Sequence, residues 1–175
     1  MADNDTPAEG AAAANPAAGQ PAPQISIAAQ YIRDLSFENP EAPKSIMAGP
    51  TPPHFNVGIN VGVKKQEDDL YAVELTINAK AERDSDVLFS IELIYGGLFR
   101  LMHVPEQQLP LFLMIECPRL IFPFARQTIA SVVQAGGFPP MLMEPVDFAQ
   151  IYRQNLQRMA EMQQQAVNGG AEKSN

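Results

Sequence analysis

One cysteine, two histidines and no tryptophan occur among the 175 residues of this chain, and each shortage closes off a class of chemistry. A single cysteine forbids an intrachain disulfide, so nothing speaks for an oxidising compartment and a reducing cytoplasm fits better. His54 and His103 stand apart from any carboxylate or cysteine at a metal-ligand spacing, so no metal site is expected. Cations are scarce as well: 12 Lys and Arg face 20 Asp and Glu, a formal charge of -8. That balance argues against a general nucleic-acid binder, which needs surplus cations for backbone phosphates, and favours a basic protein partner or none. Long apolar runs are missing too. No uncharged apolar stretch reaches the roughly 18 residues of a membrane span. The opening MADNDTPAEG carries acids where a secretory signal needs a basic flank. The sequence predicts a protein neither exported nor inserted in a membrane.

The two ends of the chain lack what a core requires. Residues 1 to 23 mix Ala, Pro, Gly and Asn without aromatic or branched apolar side chains, so they cannot offset the entropy of ordering, and a disordered arm is expected. The tail from 163 to 175, QQQAVNGGAEKSN, has the same deficiency and is expected to fray. One ordered unit, residues 24 to 162, remains.

Within that unit the first half alternates with period two, the signature of half-buried strands. In the first run Ile25, Ile27, Ala29, Tyr31, Leu35 and Phe37 form the apolar set, with Asp34, Ser36 and Glu38 opposite. Three further runs, opening at Phe55, Tyr71 and Val87, repeat the pattern and are joined by the polar turns KQEDDL and ERDSD. Short connections of this kind join antiparallel neighbours. Residues 39 to 53, NPEAPKSIMAGPTPP, hold too much proline for a hairpin and predict a long crossover after strand one.

The second half switches to helical spacing. Phe122, Ala125, Ile129, Val132 and Val133 recur at intervals of three and four, with Pro123 suited to a first turn and Gly136 to a left-handed stop. A second helix is expected to begin near Asp147, capped by its carboxylate with Gln150 reaching back, and to present Phe148, Ile151, Tyr152, Leu156 and Met159 as its apolar face. Strands first and two main helices afterwards predict an α+β fold on a four-stranded antiparallel sheet.

Catalytic groups are hard to assemble from what is present. Cys117 sits before a proline in an apolar stretch without an activating partner, as buried structural thiols do. GGLF and AGGF lack the spacing of a phosphate-binding loop. The acids on the strands fit a solvated sheet face, and no catalytic residue is assigned.

YIRDLSFENPEAP, the double glycine of YGGLF, ECPRLIFPFARQTIASVVQAGGFPP and EPVDFAQIY, in this order from Ile25 to Leu156, resemble the protein-export chaperone family SecB. The resemblance implies a homotetramer, a dimer of dimers, that holds unfolded precursor proteins in apolar grooves and passes them to the ATPase SecA, with no ATP, cofactor or metal of its own. It implies a SecA contact through Asp34, Glu38 and Glu92, with Ser90 where relatives can carry leucine. It implies a client groove between the crossover and the last helix, matching Phe55, Val57, Ile59, Phe148, Tyr152 and Leu156. Ile46 and Met47 of the crossover are added here on their apolar character, since this chain has Thr51 where relatives can carry tryptophan. For each of these apolar residues ordinary core is the competing reading, most evenly for Val57, Ile59 and Phe148.

A single sheet with two helices cannot cover all the apolar side chains named, so surplus area is expected to meet another copy. The helix from Phe122 to Ala135, with Ile129, Val132 and Val133, is the expected contact between dimers. Strands one and four are expected to form the dimer, with Ile91, Leu93 and Tyr95 near the assembly core. The reading from another class is a small-molecule carrier or isomerase with its cavity inside a curved sheet. It requires a tyrosine–acid pair with shifted ionisation, and Tyr31, Tyr71, Tyr95 and Tyr152 have no acid on the same face at a helpful spacing.

Overall fold

The structure, a computed structural model, describes residues 21–47, 49 and 51–171, those from 164 onward by their backbone alone. The expected arm thus lies outside the described residues except for its last three. Four strands, β1 (Gln24–Glu38), β2 (His54–Glu67), β3 (Leu70–Arg83) and β4 (Asp86–Met102), form one sheet. Its order is β1-β4-β3-β2, antiparallel throughout, so the crossover carries the chain from one edge to the other, as its proline content predicts. The hairpins turn at Asp69 and Asp84, which take positive φ of 58° and 56°, a conformation that Asp tolerates better than most side chains.

Alternation sorts the strands into two faces. Val73, Leu75 and Ile77 of β3 and Ile91, Leu93 and Phe99 of β4 point to one side and are almost fully buried. On that side lie a short turn α1 (Leu109–Leu111), a π-helical stretch (Phe112–Glu116) and the long helix α2 (Cys117–Ala135). Cys117, Ile121, Ala125, Ile129 and Val133 of α2 close the core. The glycines of YGGLF serve one face each. A Cβ on Gly97 would come within 3.0 Å of Ile121 on α2, and one on Gly96 within 2.3 Å of the Tyr31 ring on the open side.

Strand β1 departs from simple alternation. Register shifts between Ile27 and Ala29 and between Ile32 and Asp34 each insert a bulge, and each bulge exchanges the faces. Ile25 and Ile27 oppose Leu101 and Phe99 on the core side; Ala29 and Tyr31 oppose Leu98 and Gly96 on the open side; Leu35 and Phe37 return to the core side opposite Leu93 and Ile91. The expected single apolar row is therefore two rows on opposite faces.

Helix boundaries also differ from expectation. Pro123 lies inside α2, and the first-turn proline is Pro118. Gly136 keeps a right-handed φ of -72°, and the left-handed residue is Gly137, at φ 92°. Helix α3 (Phe148–Ala171) starts as read, with Asp147 Oδ1 accepting the Gln150 backbone N–H at 3.0 Å. Its backbone is helical to Ala171.

Candidate functional site

A groove of about 810 Å³ opens at the end of the sheet where β1 and β3 finish and β2 and β4 begin. Its floor is aromatic. Phe89, 2% exposed, stands 5.7 Å from Phe37, 6.4 Å from Phe55 and 4.9 Å from Phe138 between ring centroids. One wall is the crossover, with Ile46, Met47 and Pro53; a second is Phe55, Val57 and Ile59 of β2; the third is the segment from Gly137 to Val146 joining α2 to α3. Arg83 ties the crossover down by donating from Nη1 to the Met47 carbonyl at 3.3 Å. The charged groups in the lining are Arg83 and Glu144.

The groove brings together part of the expected set. Ile46, Met47, Phe55 and Val57 are 46%, 67%, 47% and 40% exposed, which places open apolar surface on two walls, and Ile59 lines the same space half-buried. Phe148, Tyr152 and Leu156 do not line it. Phe148 is 1% exposed, packed edge-on against Phe122 at 5.7 Å, so it is core. Tyr152 and Leu156 lie on α3, which the linker separates from the groove. The sequence reading did not include the third wall of this groove, FPPMLMEPV, which includes Leu142 at 85% exposure. Its signal was available: three prolines and two methionines in an apolar run without period suit an extended adaptable wall better than a helix.

The acids come together on the open face. Glu38 pairs with Ser90, Ser36 with Glu92 and Asp34 with Ile94 across β1 and β4, so Asp34, Glu38, Ser90 and Glu92 share that face. Glu38, Ser90 and Glu92 line a shallow depression of about 420 Å³ with Asn56, Asn78 and Lys80; Asp34 lies one rung beyond it. Lys80 is paired with Glu82 at 2.6 Å, which leaves the depression acidic.

Other assignments need correction. Ile91, Leu93, Phe122, Ile129 and Val133 are 4% exposed or less within one protomer, so they belong to the core and cannot be interface residues; Tyr95 and Val132 are half-buried. The cause is the sheet order, which places β4 between β1 and β3, and the packing of α2 on the sheet rather than away from it. The exposed apolar side chains of α2 are instead Leu120 and Phe124. A tyrosine–acid pair does exist: Tyr31 Oη donates to Glu74 Oε1 at 3.0 Å. It lies on the flat open face, and burial, then the Glu74 contact, raises the Tyr31 pKa, so the phenol stays protonated and offers no base. Cys117 is fully buried, and burial pushes its thiol up to about 12, the wrong direction for a nucleophile. Among the described residues no group of three or more His, Cys, Asp or Glu is placed to hold a metal, and no helix is long and apolar enough to cross a membrane.

Comparison with known proteins places this arrangement. The family model described as preprotein translocase subunit SecB matches residues 18–159. The protein-export protein SecB of Bradyrhizobium sp. (strain BTAi1) is 53% identical over 150 residues, 86% of this chain and 92% of that one. Its counterpart in Rhodopseudomonas palustris (strain BisA53) is 50% identical over 163 residues, 93% and 96% of the two chains. Among solved structures, a SecB-like chaperone of Mycobacterium tuberculosis, in complex with a ChAD peptide from the HigA1 antitoxin, aligns with a TM-score of 0.59 at 11% identity. It covers 70% of this chain and 90% of its own, a likeness of fold. On the match of family model and half-identical relatives over most of its length, this chain belongs to the SecB family.

Proposed function

We propose that the protein is an ATP-independent chaperone of the bacterial cytoplasm that holds newly made precursor proteins unfolded in the apolar groove and delivers them to SecA for export. The observation that carries this reading is the groove itself, in a chain of the SecB family. Its exposed Ile46, Met47, Phe55, Val57 and Leu142 offer contact without a fixed set of donors, and no catalytic constellation stands in its walls. An unfolded chain presents extended backbone and scattered apolar side chains. Each large side chain buried contributes roughly 1.5 to 3 kcal/mol, so a few shallow contacts hold a client without a sequence code. Met47, Met141 and Met143 in the walls adapt to varied shapes.

Asp34, Glu38 and Glu92 supply the footprint for a basic surface of SecA, where opposite charge speeds encounter and added salt weakens it; Ser90 lies within that footprint. The working particle is a homotetramer, a dimer of dimers, joined through the free edge of β1 and the outward stripe of α2. The test is to dilute a denatured polypeptide into buffer with and without the protein and without nucleotide. Suppressed aggregation is expected at a near-equimolar ratio of tetramer to client, and a client that aggregates equally fast in its presence rules the chaperone reading out.

A further inference from the structure

We propose that Tyr31, Arg33 and Glu74 form a latch that holds the bulged edge strand in register and ties the Arg33 cation to Glu74 rather than to Asp34. The latch spans three strands. Tyr31 lies on the open face opposite Gly96, and its hydroxyl passes over β4 to donate to Glu74 Oε1 on β3 at 3.0 Å. Arg33 reaches the same carboxylate, ion-paired through Nη1 to Oε2. This route exists because residue 96 has no side chain: a Cβ there would stand 2.3 Å from the Tyr31 ring. Glu74 is the fixed point, its side chain 20% exposed against 55% for Arg33.

The position of the latch gives it a role. It sits at the second bulge of β1, between Ile32 and Asp34, in a strand with a single hydrogen-bonded neighbour. A one-residue slip in such a strand turns every side chain to the other face, and here it would carry Asp34, Ser36 and Glu38 inward. Arg33 also immediately precedes Asp34. Left unpaired, its guanidinium would be free to pair with Asp34 on the same open face; bound to Glu74, its charge is matched there and Asp34 keeps its own. Tyr31, Arg33 and Glu74 are therefore positioning residues for the docking face.

The functional half of this inference rests on reading the acidic face as the SecA footprint; the mechanical half does not. The experiment uses the full chain with Glu74→Ala, Gly96→Ala, Glu74→Ala/Arg33→Ala and, as a control for the footprint, charge reversal at Asp34, Glu38 and Glu92. Amide hydrogen exchange is expected to quicken in β1 from Gln24 to Asp34 in both single variants, with β3 protection retained. SecA association at low salt is expected to slow about two- to fivefold in Glu74→Ala, the scale of one surface charge pair, and to recover in the double variant. Recovery is the readout that a mere loss of packing would not give. Unchanged exchange in both single variants overturns the latch whatever SecA does. Unchanged association in Glu74→Ala, where triple charge reversal abolishes it, overturns the electrostatic half. Triple reversal without effect overturns the footprint instead, and the exchange data then decide the latch alone.

Discussion

Cys117 illustrates how one residue's environment settles its chemistry. Its side chain is wholly enclosed at the start of α2, and burial, with Glu116 second, moves the thiol from its ordinary 9.0 up to about 12. At pH 8 it is protonated and shielded, so a thiol reagent should label the native protein far more slowly than the denatured one, as absorbance of the released chromophore would record. The sign of the pH effect follows from linkage. A thiol whose folded pKa is raised contributes stability in full below its unfolded pKa and loses it as pH climbs through the folded one. Denaturant midpoints of the wild type should therefore fall between about pH 9 and 12 more steeply than those of Cys117→Ala. Parallel slopes would mean that the thiol ionises freely in the native state. Leu93, with no exposed surface in the centre of the sheet, makes the complementary case: Leu93→Ala should cost about 2 to 5 kcal/mol of unfolding free energy, measured by chemical denaturation. That cost belongs to the protomer core, to which the structure moves this residue from its expected place at an interface.

At the scale of elements, the linker between α2 and α3 decides the shape of the groove. Gly137 takes φ 92° there, with Ile46 Cγ2 3.1 Å from where its Cβ would stand. Gly137→Ala should cost about 1 to 2 kcal/mol, and because the strain falls on one wall against another, client capture should weaken with it. A paired comparison locates the site more directly. Phe55→Ser with Leu142→Ser should raise the client dissociation constant about tenfold or more, from the apolar area lost, whereas Tyr152→Ser with Leu156→Ser should leave it near the wild-type value in a fluorescence titration. The reverse pattern would move the site to α3. Strand β3 and the first part of β4 were legible in the sequence because each keeps one face buried, so alternation and burial coincide; β2 was legible from its alternation, although its apolar row stays largely open. Strand β1 was legible as a strand, but its face assignment was not. A bulge adds one residue without altering composition, and Ala29 and Tyr31 look as apolar on the open side as they would on the core side. Helix α2 was legible in its second half and hidden in its first, where Pro118 and Pro123 sit close together and a π-helical stretch immediately precedes the helix. The linker escaped because periodicity is the signal for regular elements, and a proline-rich wall has none. The acids were legible as one face, since no bulge separates Asp34 from Glu38.

For the whole molecule, the question is what covers the apolar surface that one protomer leaves open outside the groove. Helix α3 carries part of it, in Leu156, Met159 and Met162, and two further regions bear on assembly. The edge strand β1 exposes Ile27, Ile32 and Leu35 at 39%, 48% and 38%, and α2 exposes Leu120 and Phe124 at 44% and 51%. Strand β4 is excluded as an edge contact because β1 and β3 take both of its sides, which leaves the two edge strands, β1 and β2, able to pair with a second copy; β2 also lines the groove, so β1 is the edge assigned to assembly. The outward face of α2 is apolar at its start and polar further on, where Gln127 donates to Ser131 at 3.2 Å, so the proposed contact between dimers would centre on Leu120 and Phe124. In a closed symmetric assembly every protomer feels the same substitution, and even about 1.5 kcal/mol per side chain sums to several decades in the association constant. Leu120→Asp with Phe124→Asp should therefore halve the sedimenting mass at micromolar concentration, from tetramer to dimer, while far-ultraviolet circular dichroism stays unchanged because neither side chain enters the core. A variant that still sediments with the wild-type mass would place the contact elsewhere and leave this part of α2 facing solvent.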